Sequence, residues 1–207
     1  MRHNEIRDLV FATLLIAIIA ILTFTMIGFI NIGGVAFITI MHIPVLVGAM
    51  VLGRKYGLIL GAAFGLSSLI LSAILLGVNA PFTNPLLSVA PRMFFGWMIY
   101  PLYTVISKRI SKPSVSITLT MIISTFIHTL IVSVLLYFIG KSGFYFTASE
   151  NPFTTNQNIL GVLVGLFSLN GLIEIALAAL VGTPAVLVLN NIRNKYAEED
   201  REEIEEL

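Results

Sequence analysis

Apolar residues fill this chain in long runs separated by short polar or glycine-containing stretches. A helix that crosses a bilayer needs roughly 20 mostly apolar residues, because in hydrocarbon only bonds within the helix satisfy the backbone. Six runs qualify, at about residues 8–29, 38–52, 56–77, 86–107, 115–140 and 159–191. The second is short and lies between Gly33-Gly34 and Gly53, so a tilted or partly re-entrant element is expected there. The first follows Arg2 and Arg7, but it is too long for the apolar core of a secretory signal and lacks a small-residue cleavage site. The pattern predicts an all-α, polytopic membrane protein built as a six-transmembrane-helix bundle. Residues 1–192 form its single transmembrane domain and 193–207 an acidic tail.

Composition agrees, with 57% hydrophobic and only 11% charged residues. The stretch from Val10 to Leu189 lacks the charged shell of a water-soluble domain. There is no cysteine, which excludes disulfides, thiolate metal sites and thiol catalysis. The net charge of +1 conceals a division between an acidic C-terminal stretch, "EDREEIEEL", and cations that flank the apolar runs. Nothing in that balance points to a nucleic-acid partner.

Charge also orients the spans. Of the 12 Lys and Arg residues, all but Lys141 and Arg92 fall on one side of a six-span arrangement. Cytoplasmic loops carry the excess of cations, so both termini are expected in the cytoplasm. The inward connections "LGRKYG" and "SKRISKPS" are short and basic. The outward ones, "INIGGVAF", "GVNAPFTNP" and "GKSGFYFTASENPFTTNQN", are polar and aromatic with little charge, as suits a lid over a small organic solute. The two halves show no internal repeat and no paired interrupted segments of the kind found in inverted-repeat transporters.

Small residues mark helix faces. Gly53, Gly57, Gly61 and Gly65 recur at every fourth position of the third run, which lets another helix approach bare backbone. The first run carries Thr13 and Ala17, with Ala12 and Ala20 beside them, a stripe suited to packing within the chain or to docking a separate membrane subunit. In the last run Ala178 and Gly182 precede Thr183-Pro184, where the missing proline donor predicts a kink near the cytoplasmic end.

Ionisable groups within the spans are His42, Arg92, His128 and Glu174. Each costs about 3 kcal/mol at the bilayer centre on insertion scales, so each invites a functional reading. Ser88 with Arg92, Ser124 with His128 and Asn170 with Glu174 stand four residues apart, placing polar pairs on single faces of successive spans. Together they form a candidate cavity lining. Three partners suit Arg92: outer headgroups reached by its long stem, Glu174 in a structural ion pair, or a carboxylate or phosphate on a ligand. His42 and His128 can serve as structural hydrogen-bonders or as ligand contacts. Trp97, a turn beyond Arg92, can wall a pocket, whereas Tyr100 and Tyr103 read as packing or interfacial aromatics.

Catalytic motifs are missing: there is no HExxH, no paired intramembrane aspartates, no hydrolase serine context and no P-loop. His42, His128 and Glu174 are scattered over three spans, a weak basis for zinc, and neither metal nor cofactor is expected. Without a P-loop, any ATP-driven transport requires other subunits to hydrolyse the nucleotide.

The segments "ATLLIAIIAILTF", "TIMHIPVLVGAMVLGRKYGLILGAAFGLSSLI" and "NPLLSVAPRMFFG" resemble the substrate-binding S components of energy-coupling factor (ECF) vitamin transporters. The last two are most similar to the pantothenate-type group. The resemblance covers nearly the whole chain. It implies a compact six-helix bundle in the bacterial plasma membrane that binds a vitamin beneath loops one, three and five. It also implies a transmembrane coupling subunit and two cytoplasmic ATPases as partners, with toppling of the whole subunit carrying the vitamin inward. The docking surface on the first helix of such proteins maps to Thr13 and Ala17, with Ala20 nearby and Thr replacing the first Ala. The implied vitamin pocket comprises Asn84, Ser88, Arg92, His128, Asn170 and Glu174, with His42 and Trp97 as further candidates. Pantothenate offers a carboxylate to Arg92 and two hydroxyls and an amide to the rest. Hydroxymethylpyrimidine, pyridoxine or a cobalamin suits the site better if Glu174 already neutralises Arg92. A self-sufficient secondary transporter and a membrane enzyme using His128 and Glu174 are the competing readings.

Overall fold

The computed structural model describes residues 2–32, 36–75, 82–142 and 171–205. In chain order these form α1 (Arg2–Phe24), β1 (Phe29–Ile32), β2 (Ala36–Thr39), α2 (His42–Leu52), α3 (Arg54–Leu75), α4 (Pro85–Ser88) and α5 (Ala90–Arg109). α6 (Pro113–Ser142), α7 (Gly171–Leu177), a π-helical turn (Ala178–Gly182) and α8 (Thr183–Glu205) follow. Among the described residues the chain is therefore helical apart from one hairpin. Residues 159–170, the expected start of the last span, lie outside the described residues, as does Asn170.

Among the described residues, four stretches are helices long and apolar enough to cross a membrane: Glu5–Phe24, Arg54–Leu75, Pro113–Leu136 and Gly171–Tyr196. Their outward surfaces carry Leu14, Ile21, Ile74, Phe126 and Leu180 in place of charge, the reverse of a soluble protein. Two of the expected runs take other forms. The run expected at 38–52 begins as the strand β2 and becomes helical only at His42, leaving an 11-residue helix. "FINI" and "AFIT" pair antiparallel, Phe29 opposite Thr39 and Ile32 opposite Ala36, so their backbone bonds are met across the hairpin. The run expected at 86–107 is divided at Val89 into α4 and α5. Pro91 has no N–H to continue the first helix, and Arg92, two prolines and two tyrosines make α5 less apolar than its neighbours.

α2 is the centre of the bundle, with every residue from His42 to Val51 buried. A helix apolar on all sides is stable only when surrounded. Ile19 of α1, Leu60 and Phe64 of α3, Phe95 and Ile99 of α5, Met121 of α6 and Val186 of α8 complete that core. The glycine stripe of α3 meets α5 backbone to backbone. A methyl group at Gly61 would overlap the carbonyl of Arg92, one at Gly57 the carbonyl of Gly96, and one at Gly65 the Cα of Val89. Gly53 acts differently, since with φ of +94° it turns the chain between α2 and α3 in a conformation that side chains disfavour.

A π-helical turn, Ala178–Gly182, immediately precedes Thr183-Pro184, the place of the expected kink. Thr183 Oγ1 lies 3.0 Å from Thr118 Oγ1 there, joining α8 to α6. At one end of the bundle, Arg193 of α8 donates to the carbonyl of Val51, an otherwise open C-terminal carbonyl of α2. Its other terminal nitrogen pairs with Asp8 of α1 at 3.1 Å. Arg7 lies 5.5 Å from the Tyr196 ring centroid. The N-terminal part of α1 and the C-terminal part of α8 thus share one end.

The close α3–α5 contact yields a direct expectation. Gly61→Ala should lower stability by about 1–3 kcal/mol, because backbone rather than a flexible side chain must give way. The lipid-facing change Leu66→Ala should stay within about 0.5 kcal/mol. Thermal unfolding of the two variants in detergent measures the difference.

Candidate functional site

The side chains of His42, Arg92, His128 and Glu174 are all buried, at 1%, 6%, 7% and 8% exposure. They come from the first residue of α2, the first turn of α5, the middle of α6 and α7. Phe64 of α3 lies against both Arg92 and His128, and Thr39, three residues before His42, is bonded to Glu174. Four groups expected on separate spans thus converge, at the end of α2 away from Arg193.

Arg92 lies inside the bundle rather than on its outer surface. One terminal nitrogen donates to the carbonyl of Leu87, and the guanidinium carbon lies 5.6 Å from the Phe64 ring centroid and 5.3 Å from that of Phe82. These aromatic faces partly compensate the cation. Its Nε is buried without a hydrogen-bond partner, and no carboxylate among the described residues lies within ion-pair distance of it. Among the described residues, Arg92 and Glu174 therefore form no direct ion pair.

Glu174 is engaged elsewhere. Its Oε1 accepts hydrogen bonds from Thr39 N–H at 2.8 Å and Thr39 Oγ1 at 2.7 Å. The His42 ring lies beside the main chains of Thr39 and Glu174, with Nε2 buried and unpartnered. His128 packs between Phe95, 4.6 Å away between ring centroids, and Phe64, 6.0 Å away, and its Nε2 also lacks a partner among the described residues. On α6 the hydroxyls of Ser124, Thr125 and Thr129 are likewise buried and unpartnered among the described residues. Buried polar atoms are normally satisfied, so this concentration of open donors and acceptors makes the cluster the candidate site.

Asn84 and Ser88 shape the backbone around Arg92. Asn84 caps α4 by accepting from Leu86 N–H at 2.9 Å, and Ser88 donates to the carbonyl of Phe82. Those bonds fold the segment that presents the Leu87 carbonyl to Arg92. Trp97 is not brought to this cluster. Its ring is exposed, with the Arg54 guanidinium 3.7 Å from its centroid and Phe94 stacked at 6.0 Å. On α1, Thr13 and Ala17 are exposed and Ala20 is half-buried, on an outer face shared with Leu14, Ile18 and Ile21.

Sequence reasoning missed Thr39, Phe64, Phe82, Phe95, Thr125 and Thr129. Gly33-Gly34 between two β-prone runs was a hairpin signal that would have placed Thr39 at a strand end. Thr125 and Thr129 repeat the four-residue spacing of Ser124 and His128 one position along. The phenylalanines carry no such signal in an apolar run. Among the described residues no group of His, Asp and Glu is placed to hold a metal ion. Among the described residues, Ser124 Oγ and His128 Nε2 are not hydrogen-bonded to each other.

A family model described as ECF transporter, substrate-specific component, matches residues 7–186. No curated protein matches the chain.

The open hydroxyls make a stability test possible. Thr125→Val replaces an unsatisfied hydroxyl by a methyl of the same shape and should keep or raise the stability of the ligand-free protein, by up to about 1 kcal/mol. Phe64→Ala should cost about 3–5 kcal/mol. Chemical denaturation in detergent compares them.

Proposed function

The chain belongs to the ECF transporter substrate-specific component family, and from that membership we propose that it captures pantothenate at the Arg92 cluster for import. Substrate-specific components bind a small molecule and work with a coupling subunit and ATPases. The finer features are our reading. All six helical runs cross the membrane, with α2 and α5 counted as spans and both termini in the cytoplasm. The shared end of α1 and α8 supports an even number of crossings. Arg54, Lys108, Arg109 and Lys112, at or between helix ends, are cations suited to the cytoplasmic face.

One observation carries the choice of an anionic vitamin: Arg92 is a buried guanidinium in contact with no carboxylate among the described residues, while Glu174 is held by Thr39. A ligand carboxylate would meet the guanidinium in a geometry suited to its planar fork and relieve the cost of keeping each charge out of water. The hydroxyls and amide of pantothenate then have His42, Ser124, Thr125, His128 and Thr129 as partners. Asn170 remains a proposed contact. A neutral ligand such as hydroxymethylpyrimidine, pyridoxine or a cobalamin is the second reading, supported by the burial of Glu174 in the same bundle end.

Coupling to the transport machinery is assigned to the outer face of α1. Thr13 and Ala17 are small and exposed there, so another membrane helix has access to the backbone. Ala20 borders the same contact.

Calorimetry on the detergent-purified chain, without ATP, should show tight binding of pantothenate, and a vitamin panel identifies any other ligand. No binding by folded protein to any member of the panel would sink the proposal. Arg92→Ala should weaken pantothenate binding by about 2–5 kcal/mol, and unchanged affinity would free Arg92 from any role with cargo. Ala17→Leu and Thr13→Leu should keep vitamin binding but fail to assemble with the coupling subunit, and full transport by both removes the docking assignment. Proteoliposomes holding this chain alone should not accumulate vitamin under a proton or sodium gradient.

A further inference from the structure

Two hydrogen bonds to the Glu174 carboxylate come from one residue, and that residue ends the hairpin. Thr39 closes β2 and donates through its N–H and its hydroxyl to the same carboxylate oxygen, at 2.8 and 2.7 Å. Bonds of this kind to a charged acceptor are stronger than neutral ones. Both are made by a single residue, so loss of that residue's position removes both. The hairpin's remaining described hydrogen bonds are internal or lie at its base, where Ile40 N–H donates to the Gly28 carbonyl at 3.0 Å. A lone two-stranded hairpin is at best marginally stable, so its position depends on what grips it. α7, which carries Glu174, packs against β2.

The grip borders the polar cluster. His42 lies beside the main chains of both Thr39 and Glu174 and presents an unpartnered Nε2. We propose that the Glu174–Thr39 contact is a latch holding the β1–β2 hairpin against α7 at the edge of the binding cluster. Glu174 is then a positioning residue for the hairpin and not a ligand of the transported molecule. The inference rests on reading that cluster as the binding site. It also separates two roles that sequence spacing merges: Arg92 is left for the cargo because the nearby carboxylate serves the hairpin.

Hydrogen–deuterium exchange of the intact chain in detergent, without ligand, tests the latch. Thr39→Val keeps the backbone donor and the side-chain shape but loses the hydroxyl, so amides of residues 29–40 should exchange about tenfold faster. Glu174→Ala should accelerate them at least as much, and the double variant should add nothing to Glu174→Ala. Glu174→Gln, which keeps an acceptor oxygen, should fall between wild type and Glu174→Ala. Hairpin exchange at the wild-type rate in Thr39→Val and Glu174→Ala overturns the latch. If Glu174→Ala does not fold, Thr39→Val alone decides. With pantothenate as probe, Thr39→Val should speed dissociation, whereas Arg92→Ala should weaken binding without loosening the hairpin. Wild-type exchange and dissociation in Thr39→Val, together with lost binding in Glu174→Ala, would instead make Glu174 a cargo contact. Failure of pantothenate to bind the wild type sinks the vitamin assignment alone, since the exchange measurement needs no ligand.

Discussion

The bundle depends on the absence of side chains where α3 meets α5. Gly57, Gly61 and Gly65 bring α3 against the main chain of Gly96, Arg92 and Ser88–Val89. Attraction between apolar side chains cannot drive this approach in lipid, where the hydrocarbon tails are equally apolar; close van der Waals packing can. The contact fixes the first turn of α5 and with it the guanidinium of Arg92. Phe64, on α3 between two of those glycines, is thereby brought against both Arg92 and His128.

Around that scaffold the electrostatics are unevenly resolved. Arg92 has a carbonyl and two aromatic faces, and Glu174 has the two donors of Thr39. The two charges are not in direct contact with each other, and both histidines keep an open nitrogen. Each unmade bond costs about 1–3 kcal/mol in a buried site. A protein optimised for stability alone would close them or replace them with hydrocarbon. At the other end Arg193 serves both the Val51 carbonyl and Asp8, joining the terminal helices to α2. One end is tied shut by Arg193, and at the other the polar groups keep open bonding capacity among the described residues.

Much of this was legible from residue order. Long apolar runs identify helices that need hydrocarbon, the four-residue glycine spacing identifies a packing face, and buried cost singles out His42, Arg92, His128 and Glu174. All of these are local properties of a helix, set by its rise and period. The hairpin escaped because its eight paired residues are as apolar as a helix start, and only the glycines between the strands distinguish them. Trp97 was grouped with Arg92 by proximity along α5, yet five residues carry it toward Arg54 on another side of the helix.

Residue order by itself determined the membrane class, the helical runs and which charges are costly, since those follow from transfer energies and helical periodicity summed along one segment. Only the tertiary structure decided which partner each costly group has. Thr39 and Glu174 are 135 positions apart, and a hydrogen bond is decided by ångströms between elements that sequence periodicity does not place. That Glu174 meets a strand end instead of Arg92 is therefore a fact of packing.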